Sequence, residues 1–142
     1  NRVSGWMMME KITSIEITNR ASGPYYEDEI VVETVKIYRT GKIKHLQYNG
    51  LAEKPVKEFD YKISSAEMNT FFDLLVSRIK IQDWNEDYSV PVCDGWSWEF
   101  KMRHSNNTAK KVIGTVEPPP RGKQLRSSIY KLTDFQVKPW MF

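Results

Sequence analysis

The sequence predicts an α+β fold, an antiparallel sheet of about six strands in the order ββββαββα with two helices packed on one face. Three observations carry this. Several segments alternate apolar and polar residues with a period of two, two segments switch to a helical period, and strands and helices fall in separate runs rather than alternating one by one. Segregated hairpins of this kind favour antiparallel pairing with helices on one side.

The elements follow in order. "KITSIEIT" (11–18) sets Ile15 and Ile17 on one face and Ser14 and Glu16 on the other, as a half-buried strand requires. "NRASGPYYEDE" is a polar connection. "IVVETVKIYR" (30–39) is rich in β-branched residues, and "IKHLQYN" (43–49) is its return strand across a compact turn at Thr40-Gly41. His45 is expected to face outward from that strand. "VKEFDYKI" (56–63) alternates again, with Phe59, Tyr61 and Ile63 on one side.

In "SSAEMNTFFDLLVSRIK" (64–80) the period changes. Met68, Phe71, Phe72, Leu75, Val76 and Ile79 form one helical stripe, and Ser64 with Glu67 makes a capping box. "IQDWNEDYSVPVCDG" (81–95) reads as a long irregular link. "WSWEFKMRH" (96–104) then alternates strictly, with Trp96, Trp98, Phe100 and Met102 on one face, Trp96 half covered at the strand edge, and Ser97, Glu99, Lys101 and Arg103 on the other. "SNN" turns the chain into "TAKKVIGTV" (108–116). The prolines of "EPPP" end that strand, because proline cannot donate to a ladder. "RGKQLRSSIYKLTDF" carries Leu125, Ile129 and Leu132 at helical spacing beneath a basic outer face, and "QVKPWMF" is an apolar tail.

A chain of 142 residues is expected to form a single domain over 1–142, with residues 1–10 as a loosely ordered extension and a native start near Met7–Met9. No run of apolar residues is long enough to span a membrane. A single cysteine rules out an intramolecular disulfide and favours a reducing, cytoplasmic compartment, with an exported mature form as the alternative.

The formal charge of +3 is unevenly spread. Residues 101–131 carry eight Lys and Arg against Glu117 alone, a balance of +7, while residues 1–100 carry −4 and the last eleven are neutral. Six of these cations, Lys101, Arg103, Arg121, Lys123, Arg126 and Lys131, are the candidate polyanion-binding residues. Nucleic acid is not the favoured ligand, because stacking needs outward rings and Trp98 and Phe100 point inward.

The stretch "DGWSWEFKM", a polar turn, "KKVIG", then "PPP" and a closing amphipathic helix, resembles the C-terminal half of a family of small uncharacterised bacterial domains with an Asp-Gly/Trp strand hairpin, a Pro-Pro and a final helix. The resemblance covers residues 94–133. It implies a bacterial origin and supports the fold. It implies no activity and no functional residue. Arg121-Gly122 after the prolines and Trp96 depart from the pattern.

Catalytic constellations are weak. Cys93 would need His104 or His45 as base, and a straight strand would hold Cys93 and His104 roughly 25–30 Å apart. Asp83, Glu86, Asp87 and Asp94 lack the alternation of a calcium loop, and the acidic patch Tyr25–Glu29 reads as solvated charge, so no metal is assigned. No nucleotide fingerprint is present and no cofactor is assigned. The preferred expectation is therefore a non-catalytic binding or interaction module with a protein partner or a second copy of itself. An enzyme or small-ligand binder with a pocket at residues 82–95 is the alternative. There Trp84, Asp87, Tyr88 and Asp94 would offer rings and oxygens, since a long unstructured loop in a compact domain is often functional. A polyanion binder using the basic region is the third reading.

Overall fold

The computed structural model describes residues 11–23, 29–50, 53–91 and 95–139. Its strands are β1 (Ile12–Ala21), β2 (Ile30–Tyr38), β3 (Lys42–Asn49), β4 (Lys57–Lys62), β5 (Asp87–Tyr88), β6 (Trp96–His104) and β7 (Ala109–Thr115). Its helices are α1 (Ser65–Leu74), continued by a π-helical turn (Leu75–Ile79), and α2 (Gly122–Leu132). The strands form one sheet in the order β4-β3-β2-β1-β6-β7-β5. All pairings are antiparallel except β5 with β7.

The class is the expected α+β, but the described residues hold seven strands rather than about six. The extra one lies in the link read as irregular, where Asp87 and Tyr88 add to the free edge of β7 opposite Ile113 and Gly114. Its two residues carry no periodicity to read. β4, at the other edge, alternates charges in "KEFDYK" and lies mostly exposed, which discourages pairing with further strands.

Period-two alternation sorts the sheet into two faces. Ile15 and Ile17 of β1 register with Ile37 and Val35 of β2 and with Met102 and Phe100 of β6. These side chains pack in one core with Met68, Phe71, Phe72, Leu75, Ile79, Leu125 and Ile129. The helices therefore cover this face alone. The opposite face, which no helix among the described residues covers, holds Ser14, Glu16, Lys36, Lys44, Lys101, Arg103 and Lys111.

The capping box holds α1 as expected. The Ser64 hydroxyl accepts from the Glu67 amide at 3.2 Å and lies 3.0 Å from its carboxylate. One stripe residue departs from expectation, Val76, which is 41% exposed. The π-helical turn winds the chain more widely than an α-helix, so Leu75 and Ile79 stay inward while Val76 falls out of phase. Arg39 ties the β2–β3 turn to both layers. Its Nε donates to the Ile12 carbonyl at 2.8 Å, and its guanidinium lies 4.6 Å over the Phe72 ring. Burial holds this guanidinium below its usual range, against the opposing pull of Asp73.

His45 does not face outward. It shares the face of Ile43, which registers with the core residue Ile37, and it is buried with Nε2 2.9 Å from Glu33 Oε2. Asn19 Nδ2 donates to Glu33 Oε1 at 3.5 Å, completing a buried polar cluster at one end of the core face.

Candidate partner-docking groove

Of the residues singled out at 82–95, the two rings are built into the core edge and Asp87 is exposed. Trp84 is 2% exposed, its ring edge-on to Phe100 at 4.9 Å and its Nε1 donating to the Pro120 carbonyl at 3.0 Å. It offers no free ring to a ligand. Tyr88 is half-buried, stacked on Trp98 at 6.3 Å, and its hydroxyl accepts from the Asn85 amide at 2.8 Å. Asp87 accepts from the Ser89 amide at 2.7 Å, and the Ser89 hydroxyl followed by that amide holds its carboxyl below the usual range. Val92, Cys93 and Asp94 lie outside the described residues, as do residues 1–10 and Tyr25–Asp28 of the acidic patch. Lys110 closes the link from the other side, its ammonium donating to the Gln82 carbonyl at 3.1 Å.

The six basic candidates do not form one surface. Lys101 and Arg103 lie on the helix-free face of the sheet. Arg121 is consumed structurally, with Nε donating to the Ile79 carbonyl at 2.6 Å where the first helix ends. A cation at a helix C-terminus also complements its dipole. Arg126 is half-buried on α2, and its Nε is buried without a hydrogen-bond partner among the described residues. Only Lys123 and Lys131 come together, on the outer side of the helical layer.

There they meet residues the sequence reading passed over. α1 carries a second line, Ala66, Thr70 and Leu74, at four-residue spacing beside its buried stripe. α2 presents Gln124, Ser128 and Lys131, spaced by four and then three residues, on the facing side. Because these facing side chains are small or only partly buried, the helices leave an open groove between them. One end, of about 420 Å³, is walled by Ala66, Thr70, Phe71, Leu74 and Leu132 and is largely apolar. The other, of about 380 Å³, is bordered by Arg78, Lys123 and Lys131 with Ser127 and Ser128. Leu74, Ser128 and Lys131 belong to both, so the two ends are continuous.

Electrostatics follow the same division. Arg78, Lys123 and Lys131 are exposed and join no ion pair among the described residues. Among the described residues the only carboxylate lining the groove is Glu67, at the apolar end and engaged in the cap of α1. The second stripe on α1 was the available sequence signal. Its pairing with α2, some fifty residues later, was not.

Among the described residues no helix is long and apolar enough to cross a membrane, and no three His, Cys, Asp or Glu side chains are grouped to hold a metal ion. No protein-family model matches the chain, and no curated protein matches it in sequence.

Proposed function

We propose that this protein is a non-catalytic interaction module whose groove between α1 and α2 receives an acidic amphipathic helix of a partner protein. The observation that carries the reading is the continuity of an apolar trough with three cations that join no ion pair among the described residues. An amphipathic helix laid in such a trough anchors apolar side chains at i, i+3 or i+4 and i+7, while carboxylates along its flank meet the cations. α2, at 11 residues, offers about three turns of contact length. The apolar end supplies affinity through burial. The charged end selects orientation and accelerates encounter, an effect that weakens as salt rises.

A peptide-display selection tests this, run on the wild-type chain with Arg78→Glu, Lys123→Glu, Lys131→Glu triple-variant protein as counter-selection. The expected winners combine helical apolar spacing with Asp and Glu and lose at least about tenfold in affinity for the triple variant, a difference of some 1.4 kcal/mol. Winners without acidic residues, or winners indifferent to the three reversals, defeat the proposal.

A further inference from the structure

The sheet face away from the helices carries an unusual charge row. Register places Asp60, Lys44, Lys36, Glu16, Lys101 and Lys111 side by side across β4, β3, β2, β1, β6 and β7. Two of these neighbours, Lys36 with Lys44 and Lys101 with Lys111, are like charges directly opposite, an arrangement that by itself destabilises a sheet. The outer members are compensated. Lys44 lies 3.7 Å from Glu58 and 3.8 Å from Asp60, and Lys111 lies 3.1 Å from Glu99. The inner ones, Lys36 and Lys101, form no ion pair among the described residues, and neither does Arg103 one row along.

These three cations border one small pit of about 50 Å³, with the hydroxyl-bearing Ser14 and Tyr38 on its wall and Glu16 as its only carboxylate among the described residues. On the measure by which a single water needs roughly 10–15 Å³, the pit has room for a few waters or one tetrahedral oxyanion. Its lining sums to +2 with Glu16 ionised, the complement of a dianion.

We propose that this pit binds a phosphate dianion, either the free ion or the terminal group of a phosphate monoester. Arg103 supplies a planar fork of donors suited to phosphate oxygens, and the two lysines supply point charge. Ser14 and Tyr38 can each donate a hydroxyl hydrogen. Glu16 opposes the anion, so the net attraction rests on the cations outnumbering it. The site lies on the opposite face of the sheet from the helical groove and stands or falls independently of it.

Titration calorimetry with inorganic phosphate and with phenyl phosphate, at constant ionic strength, provides the test. Saturable binding of at least one of them is expected, weakened at least tenfold in the Lys101→Glu, Arg103→Glu variant and strengthened in Glu16→Gln. These residues lie on the helix-free face outside the core, and circular dichroism verifies that each variant is folded. Tighter binding of phenyl phosphate supports the site and assigns it to esters, and tighter binding of inorganic phosphate supports it and assigns it to the free ion. Lack of saturation by either ligand at concentrations on the order of 10 mM overturns the proposal, and so does equal binding by the doubly reversed variant.

Discussion

Trp98 of β6 and Gly114 of β7 are register partners, and the indole occupies the space that a side chain at position 114 would need. A Cβ placed there would lie 2.2 Å from Trp98 Cζ2. The indole Nε1 donates to the Glu117 carbonyl at 2.7 Å, so the ring also fastens the chain just after β7. One side of it stacks on Tyr88, which draws the short β5 into the sheet edge.

Trp98→Ala should therefore cost about 3–5 kcal/mol, the usual range for a large buried ring. Denaturant unfolding checks this. A loss below about 1 kcal/mol would contradict the burial of this face. The mutant should also show faster amide exchange at Tyr88, because β5 loses its stacking partner.

Gly114→Ala should destabilise by about 1–3 kcal/mol, as overpacking does, because the indole is held at its nitrogen and cannot withdraw freely. The pair Gly114→Ala with Trp98→Leu should lose less than the two single losses added together, since the smaller side chain gives the new methyl room. Strict additivity in thermal or denaturant unfolding would refute the contact.

The buried pair Glu33–His45 makes a different prediction. His45→Ala removes a partner from a carboxylate 2 % exposed and should cost about 3 kcal/mol or more. Replacing both residues by leucine should cost less than His45→Ala alone, because no carboxylate then remains in the site, although Asn19 gives up its contact to Glu33. Comparison of denaturant midpoints for the two proteins decides it.

Asp87 should contribute a small acid-sensitive increment. Its carboxyl is held below the ordinary value of 3.8 in the folded chain. Hence the unfolded state takes up the proton first as pH falls, and the contribution is fully present only above 3.8. It is lost as pH drops through the folded value. Asp87→Asn should flatten this part of the stability curve below pH 4 or so and leave the curve near neutrality parallel to wild type. A wild-type acid slope unchanged by the substitution would show that the Ser89 contacts do not form.

Sequence by itself determined the local elements. Period-two alternation identified β1, β4 and β6 and put Trp98, Phe100 and Met102 on one side of β6, because neighbouring strand residues must point to opposite faces. The helical stripe and the Ser64–Glu67 cap located α1 for equally local reasons. Only the tertiary structure decided how those elements meet. Alternation says which residues share a face but not which face the helices cover, so it leaves the side of His45 open, and the pairing of β3 with β2 turns it inward. Strand order is likewise a matter of long-range pairing, and β1 lies between β2 and β6 although β6 follows it by more than seventy residues. The same contacts divided the basic region. Lys101 and Arg103 went to one side of the sheet, Lys123 and Lys131 to the other, and Arg121 to a helix end. Charges near each other in sequence repel weakly in water, so they impose no common surface. Burial of the strands and helices beneath them sets where each one stands.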